Sequence, residues 1–324
     1  MRIHANLFSL LAFILLGSQM VPPVRADYKE AVALYNRGEY EKAIQELQPD
    51  LENNRDWEFG HRLLGLCYLN LNNNALAASS LSRAVDLKST AFSTYLGLAQ
   101  AYFNMQKYSD CITALDLGKP VAAKDKDPAA SQEKLFRLRG SANYRLNKFK
   151  ETVDDLTQAL RLGQAGWTDY TMLGVAYFNL DRHEEAVETL EKTLSMNPDQ
   201  PSIKKLLGKA YLGKGTEALA KKQFDSAAAF LKKAQDYDPQ NGFIYYTLAE
   251  TYLFDKKYST AEEALTEAKR LMPENAGVFE RLGLVYEKMK KWDQALNAYK
   301  KAQEINPSAS LKEAIARAEN NKKQ

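Results

Sequence analysis

The chain has 324 residues, 45% of them hydrophobic and 26% charged, with 44 Lys and Arg against 41 Asp and Glu. Collagen-like, membrane-spanning and wholly disordered chains are excluded by these proportions. With 2 Cys, 3 His, 16 Gly and 10 Pro, neither a disulfide-stapled fold nor a zinc array can be built, and no cofactor or metal is expected.

Residues 1–26 differ from the rest. Arg2 is followed by the apolar run Leu7 to Leu16, then by Gly17, Ser18, Pro22 and Pro23, the layout of a secretory signal peptide. The run is about ten residues, half of the ~20 that cross a bilayer as a helix. Val24-Arg25-Ala26 offers a cleavage site, so the mature chain is expected to begin at Asp27 and to be exported to a bacterial periplasm or the extracellular space. An uncleaved anchor is the alternative, since Met20 to Val24 extend the apolar stretch. After cleavage no membrane span remains. Removing Arg2 and Arg25 leaves 42 basic against 41 acidic residues, with no basic tail, and nucleic-acid binding is not expected.

From residue 27 onward the chain repeats itself. Ala31, Gly65, Ala99, Gly140, Gly174, Gly208, Ala249 and Gly283 are separated by 34, 34, 41, 34, 34, 41 and 34 residues. Ala43, Ala77, Cys111, Thr152, Ala186, Ala227, Ala261 and Ala295 form a second series with the same period. Each unit carries two apolar helical stripes, such as Leu282, Val285, Tyr286 and then Ala295, Leu296, Tyr299, Ala302, separated by a polar turn. A hairpin of this kind cannot bury both stripes alone, so the hairpins must stack.

The last full repeat has Phe279, Leu282-Gly283, Tyr286, Trp292, Ala295, Tyr299, Ala302 and Pro307, and the chain thereby resembles the tetratricopeptide-repeat family. The resemblance implies an all-α, right-handed α-solenoid of about eight helical hairpins with a C-terminal capping helix. Its repeats fall at about 27–57, 58–91, 92–125, 133–166, 167–200, 201–241, 242–275 and 276–309, with the cap at 310–320.

Two insertions of seven residues interrupt the period. The first, in Lys119 to Glu133, reads as an exposed loop, with a helical extension as the other element it could hold, because of Pro120, Asp127-Pro128 and alternating Lys and Asp. The second is placed between Gly208 and Ala227, where it would project as an arm. Gly208 to Thr216 nearly matches a phosphate-binding loop, but no strand precedes it. His61 and His183 join no ligand cluster or triad. Cys67 and Cys111 are expected as free buried thiols, and Asp154-Asp155 as part of a solvated face.

What remains is the inner face made by the first helices. One position near their ends holds Asn36, Asn70, Asn104 and Asn179, preceded by Tyr35, Leu69, Phe103 and Phe178, with Tyr144 and Arg145 at the same place in repeat four. Amides that meet a peptide backbone, beside aromatics that meet apolar side chains, suit an extended peptide. The other reading is that Asn near a helix end favours the turn. Lys205 and Lys209 offer a basic contact for an anionic segment. In some relatives a Lys-Asn-Asn-Lys-Arg set clamps a carboxylate; Lys205 and Arg281 fit two of its places, whereas Lys209, Thr247 and Gly277 stand at the others. The expected function is a non-enzymatic scaffold that binds a protein or extended peptide. The alternative is a structural component of an envelope secretion, pilus or polysaccharide-export machine. The oligomeric state is left open.

Overall fold

The repeat is visible in the backbone turns. Gly38, Asn72, Gln106, Asn147, Asp181, Lys222, Lys256 and Lys290 all have left-handed φ values between +55° and +79°. In each turn the next amide reaches five residues back, as in Asn73 N to Tyr68 O and Lys291 N to Tyr286 O, both 2.8 Å, which satisfies the last carbonyls of a helix. Only one of these residues is glycine. At the other seven the left-handed backbone costs about 1–2 kcal/mol each, so packing of the joined helices must hold the turns.

The computed structural model describes residues 28–323, and the expected signal segment lies outside them. Seventeen α-helices and no strand occur among the described residues. The chain packs as two units, one ending at Gln164 and one beginning at Ala165. In the first unit the turns join α1 (Tyr28–Asn36) to α2 (Tyr40–Asn53), α3 (Glu58–Asn70) to α4 (Asn74–Asp86), α5 (Phe92–Asn104) to α6 (Tyr108–Ala122) and α7 (Pro128–Arg145) to α8 (Phe149–Leu162). In the second they join α9 (Trp167–Asn179) to α10 (His183–Met196), α11 (Pro201–Ala220) to α12 (Phe224–Tyr237), α13 (Gly242–Phe254) to α14 (Tyr258–Leu271) and α15 (Ala276–Lys288) to α16 (Trp292–Ile305). Helix α17 (Ala309–Lys322) closes that unit. Each unit is a run of stacked hairpins, and the fold class is an all-α solenoid.

Both insertions are helical. Asp127 accepts from the Ala130 amide at 3.1 Å, and Pro128 takes the first helical position, where its missing N–H costs nothing. Helix α6 runs through Pro120 to Ala122. The expected loop over Lys119 to Glu133 therefore shrinks to residues 123–127. Helix α11 has 20 residues where α9 and α13 have 13.

The second insertion also moves the register. A Cβ on Gly65, Gly140 or Gly174 would meet Leu81, Leu156 or Leu190 at 2.5, 2.8 and 2.6 Å. Gly215 stands in this relation to Leu231, at 2.6 Å, whereas Gly208 faces Asp238. The repeat glycine of the sixth hairpin is thus Gly215, and the extra two turns lengthen the start of α11, away from the hairpin tip. No arm projects: Ile203, Leu207, Ala210 and Tyr211 are buried, in one core with Val187, Leu190 and Ile244. The stretch resembling a phosphate loop lies wholly inside α11, where helical bonding spends the backbone amides.

One buried charge cluster departs from sequence expectation. Asp154 is exposed but Asp155 is 5% exposed. Its carboxylate accepts from Arg139 Nη2 at 2.6 Å and Asn143 Nδ2 at 2.9 Å, and Arg139 Nη1 reaches Asp116 at 2.5 Å.

The cap is held by packing and by one carboxylate. Leu311, Ala314 and Ala318 of α17 lie on Ala295, Tyr299 and Ala302 of α16. Glu287 accepts from Arg317 Nε and Nη2 at 3.0 and 3.1 Å and from the Tyr299 hydroxyl at 2.9 Å. Burial pushes the Glu287 carboxyl up, but the Arg317 and Tyr299 hydrogen bonds outweigh it and hold it below its ordinary value. A carboxyl lowered by folding adds stability above its unfolded pKa of ~4.3, and that stability is lost as pH falls through the folded value. The protection of α17 amides against hydrogen exchange, relative to the intrinsic exchange rate at each pH, is therefore expected to fall more between pH 7 and pH ~3.5 in the parent than in Glu287→Gln. An identical acid response in the two proteins would contradict the assignment.

Candidate functional site

In the first unit the first helices of four repeats line a groove of about 520 Å³. Helix α5 sets its centre with Leu96, Gln100 and Phe103, spaced three and four residues apart on one face. Helix α3 adds Leu66, Leu69 and Asn70, α1 adds Tyr35, and α7 adds Arg137, Leu138 and Ser141. The floor is low at Gly97, where a Cβ would approach Leu66 at 3.0 Å and the core residue Leu81 at 3.2 Å. Charge is sparse: Lys134 and Arg137 alone carry it, and Arg137 is ion-paired with Glu133 and donates to Gln164 O at 2.8 Å. Burial pushes the Tyr35 phenol up against the opposing effect of its Asn70 hydrogen bond, so it stays neutral. The surface is apolar, with amide and hydroxyl groups interspersed.

The second unit has a groove of about 580 Å³ among α9, α10, α11 and the start of α13. Phe178, Leu212 and Phe243 supply apolar walls, and Lys209, Thr216 and Glu217 supply polar ones. His183 fills the aromatic position at the start of α10, 6.0 Å from the Phe178 ring. A Cβ on Gly213 would lie 2.5 Å from its imidazole, so glycine is what lets the ring lie against α11. Its Nε2 is 3.7 Å from Glu217, and Nδ1 is buried without a hydrogen-bond partner.

The structure thus brings Tyr35, Asn70 and Phe103 into the first groove and Phe178 and Lys209 into the second. Asn36, Asn104, Tyr144, Arg145, Asn179 and Lys205 lie outside both linings. Much of the asparagine ladder is turned to local bonding. Asn70 donates to Leu66 O and Asn179 to Val175 O, both at 2.8 Å. Asn104 donates to Asn74 at 2.9 Å and accepts from Gln100 at 2.8 Å. The carboxylate-clamp comparison also weakens, because the corrected register moves Lys205 ten residues ahead of the repeat glycine and Arg281 is spent on Glu250 at 2.9 Å.

Sequence reading missed Leu66, Leu96, Gln100 and Leu138. Stepping back from Phe103 by three and seven residues along its helix reaches Gln100 and Leu96 on the same face, a signal that was available. Leu212 and Thr216 were hidden by the sixth-repeat register.

Nothing in either groove forms a catalytic constellation. Cys67 and Cys111 are free and fully buried, and burial pushes their thiols up to about 11 and about 12, which keeps them protonated and unreactive. Among the described residues no group of three His, Cys, Asp or Glu could hold a metal ion, and no helix is long and apolar enough to cross a membrane.

Known proteins agree with this architecture. Residues 122–317, more than half of the chain, match the model of the cilia and flagella-associated protein 70 C-terminal domain. Residues 28–92 match the tetratricopeptide repeat itself. No curated protein matches the chain. Among solved structures, YrrB, described as a TPR protein with an unusual peptide-binding site, is 18% identical with a TM-score of 0.42, covering 66% of this chain and 100% of its own. The C-terminal part of a TPR repeat-containing protein from Cytophaga hutchinsonii is 13% identical with a TM-score of 0.46, covering 89% of this chain and 99% of its own. MamA from Desulfovibrio magneticus RS-1 is 22% identical with a TM-score of 0.40, covering 55% and 97%. Proteins of this repeat are in general non-enzymatic scaffolds for protein interaction, and on its repeat pattern, its stacked hairpins and the matched models this chain belongs to the tetratricopeptide-repeat family.

Proposed function

We propose that the protein is an exported, non-enzymatic scaffold that binds a protein or extended peptide along its first-helix grooves. The observation that carries this reading is the first groove: four helices long, open, apolar and nearly uncharged, with Asn70, Gln100 and Ser141 between the aliphatic side chains. An extended segment presents the complement, side chains alternating with backbone amides. Export rests on the order of residues in 1–26.

One preparation tests both parts. The full chain is expressed with its own leader, recovered from the envelope fraction, sequenced at its N-terminus and used as bait. The first residue is expected to be Asp27. A captured partner should bind Phe103→Ala with Leu138→Ala at least about tenfold more weakly, as expected when two wall side chains of a groove are truncated, with folding matched by circular dichroism. Undiminished capture by that variant would sink the groove reading. A stable stoichiometric complex indifferent to both grooves would point to the structural role in an envelope machine instead.

A further inference from the structure

We propose that the groove of the second unit selects a partner segment in which an acidic side chain stands beside an aromatic or large aliphatic one. This rests on the scaffold reading and adds the chemistry that the partner must carry.

Two unpaired cations mark one end. Lys209 lines the groove and Lys205 precedes it by one turn on the same face of α11. Both are exposed, and neither has a carboxylate within ion-pair distance. Cations nearer the tips and the packed faces are in part compensated, Lys214 by Glu184, Arg281 by Glu250, Lys291 by Glu262 and Arg317 by Glu287; what sets Lys209 apart from the unit's other exposed lysines is that it lines the groove. Lys205 lies in the seven-residue extension at the start of α11, which the 13-residue helices α9 and α13 lack, and Lys209 follows it one turn later, where those helices carry Thr168 and Phe243.

An apolar wall stands across from the lysines. Phe243 is 57% exposed at the groove edge, and Phe254, 59% exposed, lies three turns further along the same face of α13. A phenyl ring so exposed at the edge of a groove is apolar area that association would bury. Between wall and lysines, Phe178 and Leu212 line the space, with the His183 ring seated against Gly213 at its base.

The opposite end has the opposite charge. Glu217 stands eight residues after Lys209, about 12 Å along the helix, and no base but His183 faces it in the groove. An extended partner covers that span in roughly four residues. The acid is thus drawn to the Lys205–Lys209 end and repelled at the other, which sets both composition and direction.

The test is fluorescence anisotropy with the full exported chain and three labelled peptides in a glycine–serine background. One carries two glutamates beside phenylalanine and leucine; in the second the glutamates are lysines; in the third the phenylalanine and leucine are serines. The first is expected to bind about tenfold or more tighter than either of the others at low salt, with the gap to the lysine peptide narrowing at high salt. Lys205→Glu with Lys209→Glu should erase the preference for acid, and Phe243→Ser should weaken the first peptide while leaving the serine peptide unchanged. These side chains are exposed, so the variants keep the fold, and circular dichroism checks it. Equal binding of the acidic and basic peptides, no saturable binding of the acidic one, or a preference indifferent to the lysine variant overturns the proposal. Partner capture through Phe103 and Leu138 would survive that result, so failure here is distinguishable from failure of the scaffold reading.

Discussion

Asp155→Ala is expected to lower the stability of the first unit by about 3–5 kcal/mol, the usual cost of leaving one member of a buried ion pair alone. The lost carboxylate is the acceptor for both Arg139 and Asn143. Arg139, with a side chain 17% exposed, would keep only Asp116, whose side chain is 55% exposed and hydrated. Neither group can then recover the solvation lost on folding. Converting the set together to Arg139→Met, Asn143→Leu and Asp155→Leu should restore most of the loss, because it removes the charges along with their desolvation penalty. Urea unfolding followed by circular dichroism measures both. A loss below about 1 kcal/mol for Asp155→Ala would mean that Arg139 swings into water and that the cluster is a surface pair in effect.

The second large effect is expected from Leu81→Ala, at about 2–5 kcal/mol. Leu81 is fully buried and occupies the space that two glycines leave open, with atoms 2.5 Å from a Cβ on Gly65 and 3.2 Å from one on Gly97. Truncation leaves a hole bounded by helix backbones that cannot easily collapse, hence the upper part of that range. The same hole lies under the floor of the first groove, so partner capture should weaken with the melting temperature. Leu81→Met conserves volume and should cost less than about 1.5 kcal/mol. Equal losses for Ala and Met would show that shape at this position matters more than the cavity.

The two grooves are chemically different although the same repeat builds both. Each has a glycine two residues before its repeat's small residue, Gly97 before Ala99 and Gly213 before Gly215; the first leaves the floor low, and the second is covered by the His183 ring. The first groove is walled by aliphatic side chains and Phe103, and the second by Phe178, Leu212 and the exposed Phe243, with Lys209 at one end and Glu217 at the other. A scaffold with two such surfaces can hold segments of different composition.

The number of hairpins, their helical type and the placing of Cys67 and Cys111 inside were legible in the sequence alone. Each depends on spacing within one repeat: the small residue lets two helices approach, the apolar stripe faces inward, and the turn follows seven residues later. The register of the sixth repeat was not legible, because Gly208 and Gly215 are seven residues apart, nearly two helical turns, and the apolar stripe continues through both. Packing against Leu231 decided between them. The burial of Asp155 was hidden for a similar reason, since its partner Arg139 lies on the preceding helix and Asp116 in the preceding repeat. The asparagine ladder shows the limit most clearly. Its period is real, yet Asn104 meets Asn74, thirty residues away in sequence, and each groove needs side chains from several repeats at once. Local periodicity is written in the order of residues, whereas the composition of a groove depends on which repeats the stacking brings together.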